Sequence, residues 1–205
     1  GWDPQSLESA DSAVAQVVYD ALGTLAGLGA GSHEVVLPPT VSLASSWGTY
    51  VGAEAAVVHE RTFPSQSAAY GTFVRQLLDA GHAVSGMDVA RIERERRLFA
   101  GKLAAIFEDV DLLIIPVLSL ADLTLDRIAR LLTDPEELPN LLGFLAPFNF
   151  SGNPTITLPG GFDQSGVPIG FQLVARHFDE PLLVRAGRAF QTASDWHLRR
   201  PPLGV

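Results

Sequence analysis

The sequence predicts an α/β fold in which the chain supplies part of a mixed β-sheet covered by helices on both faces. Three observations carry that expectation. The run Asp111-Leu112-Leu113-Ile114-Ile115-Pro116 is apolar after its first residue and lacks polar alternation, the pattern of a strand buried on both faces. Two further strand-like runs, Thr155 to Leu158 and Ile169 to Ala175, flank a turn-rich loop from Gly160 to Pro168. Most of the remaining chain repeats its apolar residues at helical spacing.

The elements follow in order. Val14, Val17, Val18, Ala21, Leu22 and Leu25 mark a first helix, with Asp11 or Ser12 as its N-cap and Gly27, Gly29 and Gly31 as its stop. His33 to Leu37 is a short strand candidate closed by Pro38-Pro39. Ala44 to Glu60 and Gln66 to Ala80 read as helices, with a break near Pro64 and Gly81 ending the second. Asp88 to Glu108 is the longest predicted helix and opens on an Asp N-cap. Its Arg91, Glu93, Arg94, Glu95, Arg96 and Arg97 mix both charges at spacings of three and four, as a solvated helix face does. Helical pattern returns at Thr124 to Leu132, Leu138 to Ala146 and Glu180 to Thr192. The result is about four strands among about seven helices. So few strands cannot flank the apolar run on both edges, so the chain reads as part of a larger sheet completed by another segment.

Bulk properties narrow the function. Of 205 residues 47% are hydrophobic, so a sizeable core is expected and disorder is not. The formal net charge is −9, from 14 Lys+Arg against 23 Asp+Glu, which argues against nucleic acid as a partner. No cysteine is present, excluding disulfides and thiolate chemistry within the chain. No apolar run approaches a membrane span. Gly1 to Ser12 is polar and acidic, unlike a signal peptide, and a cytoplasmic location is expected.

Self-contained catalytic patterns are missing. There is no G-x-S-x-G elbow. His33-Glu34 and His59-Glu60 lack the second histidine of H-E-x-x-H, and the five histidines show no ligand spacing, so no metal site is expected. Gly27-Leu28-Gly29-Ala30-Gly31 follows a helix and precedes a strand, the wrong order for a dinucleotide loop, and fits a glycine-rich C-cap. Lys102 is the sole lysine and Ser45-Ser46 the sole adjacent serine pair, without a Gly-rich turn around it. No nucleophile–base pair is legible, and no cofactor is implied.

A resemblance emerges from motifs in order. Asn149-Phe-Ser-Gly152-Asn-Pro154 precedes Leu158-Pro159-Gly160-Gly161, then Gly166-Val167-Pro168-Ile169-Gly170-Phe171-Gln172-Leu173, then Trp196-His197 and Pro201. Upstream stand Leu28-Gly29-Ala30 with Glu34-Val-Val-Leu-Pro38, Glu54 with His59, and the Asp111 to Pro116 run. Together these resemble the C-terminal part of the amidase-signature family, over nearly all 205 residues. The glycines and prolines among them have ready structural roles in turns, and Gln172 is placed to bond backbone on a neighbouring loop.

The resemblance implies that residues 1–205 are the C-terminal portion of a single amidase-signature domain. It implies a carboxamide (C–N) hydrolase whose Ser–Ser–Lys triad comes from an N-terminal segment, so no catalytic residue is expected here and the chain alone should be inactive. That N-terminal amidase segment, carrying the catalytic serines and lysine, is the expected partner. A small-molecule amide is the expected substrate, and a homodimer of the complete enzyme is allowed. By position against the family, Trp47, Val117, Leu142, Leu145, Ala146 and Asn149 would form one wall of an apolar acyl pocket. Leu142 and Leu145 equally suit a plain helical core. The alternative function is a non-catalytic binding or assembly module of an amidase-like or amidotransferase complex.

Overall fold

The structure is a computed structural model that describes residues 1–132, 134 and 137–200. Its helices are α1 (Pro4–Glu8), α2 (Ser12–Gly27), α3 (Val41–His59), α4 (Thr72–His82), α5 (Gly86–Ile106), α6 (Leu125–Leu131), α7 (Glu137–Leu142), α8 (Ala146–Ser151) and α9 (Glu180–Ala193). Its strands are β1 (Leu112–Pro116), β2 (Thr155–Phe162) and β3 (Pro168–Ala175). The chain divides into two compact units.

The first unit comprises Gly1–Pro38, Lys102–Leu123 and the chain from Gly152 onward. Its three strands lie in the order β1-β3-β2, and both pairings are antiparallel. Leu113 faces Val174 and Ile115 faces Gln172 across one pair, and Ile156 faces Leu173 across the other. Beyond β1 the sense changes. The amino group of Gly1 donates to Leu112 O at 2.7 Å and Ile114 N–H donates to Gly1 O at 2.9 Å. Trp2 in turn forms a parallel bridge with Glu34. The three named strands are thus antiparallel throughout, and the parallel sense is confined to this isolated bridge.

The pleat explains the apolar run of β1. Ile114, with Ile169, Phe171, Leu173 and Ala175 of β3, joins a core built from Val14, Val17 and Val18 of α2 and Leu183 and Phe190 of α9. Leu113, Ile115 and Val174 alternate to the opposite face and are also buried. A strand covered on both faces has no position for a polar side chain except one whose hydrogen bonds are met. Gln172 is that residue: it is 2% exposed and its Nε2 donates to Pro116 O at 3.1 Å. The approach of α2 is close enough to require glycine on β2, because a Cβ on Gly160 would stand 2.6 Å from Val17 Cγ1. The β2–β3 turn is organised by Asp163, whose Oδ1 accepts from Ser165 N–H and Val167 N–H, both at 2.8 Å.

The second unit comprises Pro39–Gly101 and Thr124–Ser151 and is helical. Helix α3 runs through it and packs against α4, α7 and α8. The α3–α4 crossing brings backbone to backbone at Gly52 and Gly81. Helix α5 opens with a reciprocal cap: Asp88 N–H donates to Ser85 Oγ and Ser85 N–H donates to Asp88 Oδ2, each at 3.2 Å.

Several expected elements are corrected. His33 to Leu37 is not a strand; its partner is the two-residue stretch Gly1–Trp2, which supports only a bridge. Asp88 is the third residue of its helix, and Ser85 precedes that helix as the capping partner. Asp11 occupies the N-cap position of α2 but its side chain accepts from Ala121 N–H at 2.9 Å and not from the helix. The region Gln66 to Ala80 begins as a 3₁₀ turn, Ser67–Ala69, and becomes α-helical only at Thr72. Leu138 to Ala146 is two helices, because Pro147 fits the first turn of a new helix and not the interior of an old one. Helix α1, capped by Asp3 through Ser6 N–H at 3.2 Å, is too short for periodicity to reveal.

Candidate functional site

Five of the six expected pocket residues fall in the second unit. Leu142 ends α7, Leu145 lies in the following turn, and Ala146 and Asn149 stand on α8. Leu145 N–H donates to Leu142 O at 3.0 Å and Asn149 N–H to Leu145 O at 3.4 Å, so the four residues follow one tight turn of chain. Leu142 and Leu145 are half-buried, Ala146 is fully buried and Asn149 is exposed. Trp47 is half-buried on α3, the helix against which both α7 and α8 pack.

Val117 belongs to the first unit, directly after β1. It lines a cleft of about 210 Å³ with Val14, Leu118, Leu120, Leu123 and Ile169. A larger cleft of about 620 Å³ in the same unit, bordered by Gly29, Ser32, Asp109 and Leu112, is lined by none of the six.

Polar groups fasten the second unit around these residues. Ser46, next to Trp47, donates its hydroxyl to Glu95 Oε2 at 2.6 Å. Arg96 Nε donates to Phe150 O, next to Asn149, also at 2.6 Å. Arg96 is paired with Glu93 at 3.3 Å. The ring of Tyr50 meets that of Phe150 edge-on at 6.4 Å. A hydrogen bond to Glu93 holds the Tyr50 phenol above its ordinary pKa, because the negative carboxylate favours the protonated hydroxyl.

Sequence reasoning misses these contacts, because it treats Arg91 to Arg97 as a solvated face. Arg91, Arg94 and Arg97 are exposed as expected, but Glu93, Glu95 and Arg96 are half-buried. A signal is present: Glu95 and Arg96 stand three and four residues after Ile92 and four and three before Phe99, both buried.

Chemically, the described residues bring no serine and lysine together. Lys102 and Ser45 are exposed and Ser46 is committed to Glu95. His59 Nδ1 meets the Tyr70 hydroxyl at 3.0 Å, and that hydroxyl also meets Thr62, closing the end of α3 onto the following turn. Among the described residues no group of three His, Asp or Glu side chains could hold a metal ion, and no helix is long and apolar enough to cross a membrane.

Comparison with known proteins gives the arrangement its family. Residues 2–184 match the family model described as Amidase, and the chain belongs to that family. It corresponds to the C-terminal part of amidase-family proteins. It is 42% identical over 150 residues to AmiD of Mycobacterium tuberculosis, covering 73% of this chain and 32% of that protein. It is 27% identical over 205 residues to an acylamidase of Rhodococcus erythropolis, covering 98% of this chain and 43% of that one. Among solved structures, 6-aminohexanoate cyclic dimer hydrolase complexed with substrate superposes with a TM-score of 0.76 at 27% identity, covering 98% of this chain and 46% of that one. The chain thus spans less than half the length of these relatives.

Proposed function

We propose that the complete protein is a carboxamide (C–N) hydrolase to which this chain contributes the C-terminal part. The observation that carries the reading is the family match over residues 2–184. In this reading a Ser–Ser–Lys triad comes from an N-terminal amidase segment. One serine attacks the amide carbonyl, the second serine and the lysine relay its proton to the leaving amine, and backbone N–H groups stabilise the oxyanion. Support comes from the sole lysine of this chain, which is exposed on α5 and, among the described residues, has no serine paired with it. Leu142, Leu145 and Asn149, with Trp47, form a wall against the acyl group of a small-molecule amide, and Ala146, fully buried, packs behind it. Their apolar majority suits an apolar acyl chain. Val117, in the first unit, is a separate candidate.

The test has two parts. The chain alone, assayed with a simple aryl amide, is expected to show no turnover, and activity is expected when the N-terminal segment is supplied. Turnover by the lone chain that survives Ser45→Ala and Lys102→Ala and is lost with another residue of the chain overturns the triad assignment. In the complete enzyme, Leu142→Ala or Leu145→Ala is expected to raise kcat/KM for bulky acyl anilides relative to acetanilide; an unmoved ratio overturns the pocket wall.

A second reading rests on a different relative. Over 112 residues the chain is 44% identical to a component of the glutamyl-tRNA(Gln) amidotransferase of Rhodopirellula baltica, covering 52% of this chain and 21% of that one. A role within a complex of several chains is thereby favoured as the alternative. Size-exclusion chromatography with denaturing gels separates the two. Co-elution with a Gly/Ser-rich segment that carries a lysine supports the split hydrolase. A soluble, lone, cooperatively unfolding chain supports the assembly module.

A further inference from the structure

We propose that Glu95 and Arg96 are positioning residues that set where Trp47 and Asn149 stand, and through them the acyl preference of the enzyme. The inference rests on the pocket reading above. Consecutive residues on a helix point about 100° apart, so neighbours on α5 can reach two different partners. Glu95 reaches α3 and accepts from Ser46, the residue before Trp47, at 2.6 Å. Arg96 reaches α8 and donates to the carbonyl of Phe150, the residue after Asn149, at 2.6 Å. Both bonds have one ionised member and are short, as strong charge-assisted bonds are.

The two partners differ in how much they need the help. Helix α8 has six residues, too few to persist unaided, and its last carbonyls lack intrahelical donors. Arg96 supplies one of those donors and places a positive charge at the negative end of the helix. Helix α3 has 19 residues and is otherwise secure, so Glu95 acts on its rotation and not on its existence. Glu93 completes the brace by pairing with Arg96 at 3.3 Å, and Tyr50 closes it by meeting Phe150. One helix thus holds the Trp47 and Asn149 backbones at a set separation. Arginine serves here by dividing one planar guanidinium between two acceptors, Nε to Phe150 O and Nη1 to Glu93, a geometry that lysine cannot reproduce.

The experiment uses the complete enzyme with Glu95→Ala, Glu95→Gln, Arg96→Ala and Arg96→Lys, measuring Tm, kcat, KM and the kcat/KM ratio for long against short acyl anilides. Glu95→Ala and Arg96→Ala are expected to raise KM about tenfold with kcat changed much less, and to lower the long-to-short ratio. Glu95→Gln, which still accepts from Ser46, is expected to restore the ratio, and Arg96→Lys only in part. A fall in Tm with KM and the ratio unchanged shows a merely structural brace and overturns the proposal. Should Arg96→Ala fail to fold, the Glu95→Ala and Glu95→Gln pair decides. If Leu142→Ala and Leu145→Ala move the ratio while the Glu95 and Arg96 variants do not, only the positioning role fails. If none of them moves it, the pocket reading itself fails.

Discussion

Gly81 of α4 lies against the backbone carbonyl of Gly52 in α3, so close that a Cβ at position 81 would overlap that carbonyl and approach Ala53 N to 3.1 Å. The neighbouring atoms are backbone, so no rotamer change relieves the overlap. Gly81→Ala is expected to force the helices apart and to lower stability by roughly 3 kcal/mol, the upper end of overpacking costs. Denaturant unfolding of the purified protein checks this. A loss below ~1 kcal/mol would show that the helices do not cross at these glycines.

Gly101 provides the opposite case. It lies inside α5, exposed, with open space where its Cβ would stand. Gly101→Ala removes backbone freedom from the unfolded chain and meets nothing in the folded one. It is expected to add about 0.5–1 kcal/mol, read as a rise in the thermal midpoint.

Ile114→Asp tests the buried sheet. Ile114 is 4% exposed and sits in the core beside α2 and α9 residues. An unpaired carboxylate there must be protonated or must break the packing, costing several kcal/mol against a typical total stability of about 5–15 kcal/mol. Loss of cooperative unfolding is the expected outcome. An unchanged midpoint would mean that β1 is exposed.

Acid dependence should report on the start of α5. Hydrogen bonds from the Ser85 hydroxyl and N–H, with the nearby Arg91 guanidinium, hold the Asp88 carboxyl below its ordinary value of 3.8. The folded pKa is the lower one, so the contribution is complete above the unfolded value and disappears as pH falls through the depressed folded value. Thermal midpoints of the parent and Asp88→Asn proteins should therefore converge toward low pH and separate above about pH 4. A gap between them that is constant across the acid range would contradict the cap.

What the sequence discloses follows the reach of each signal. The run from Asp111 to Pro116 locates β1 because burial on both faces leaves a one-dimensional trace. Gln172 is legible as a residue that bonds backbone, but its partner is Pro116 at the end of β1 and not the neighbouring loop that the sequence suggests. The fourth expected strand fails because His33 to Leu37 has the composition of a strand but only a two-residue neighbour, a fact about partners that composition does not contain. The cap of α5 is misplaced because Ser85 and Asp88 cap reciprocally, and either alone suffices as a signal. The pocket candidates come from family position and not from chemistry, which is why the contacts around them stay unread. Glu95 and Arg96 are hidden by their charge, although their spacing from Ile92 and Phe99 places them on a buried stripe.

The strand order β1-β3-β2 also separates a local ladder from a long-range one. Strands β2 and β3 are joined by the tight turn at Asp163, so their ladder can close locally. The ladder between β1 and β3 must first draw Pro116 to Phe171 across all of α6, α7, α8 and β2. The longer closure costs roughly 2 kcal/mol more in chain entropy than the hairpin. On chain entropy alone the hairpin is therefore the less costly ladder to close, and β1, the most apolar strand of the three, depends on the longer closure.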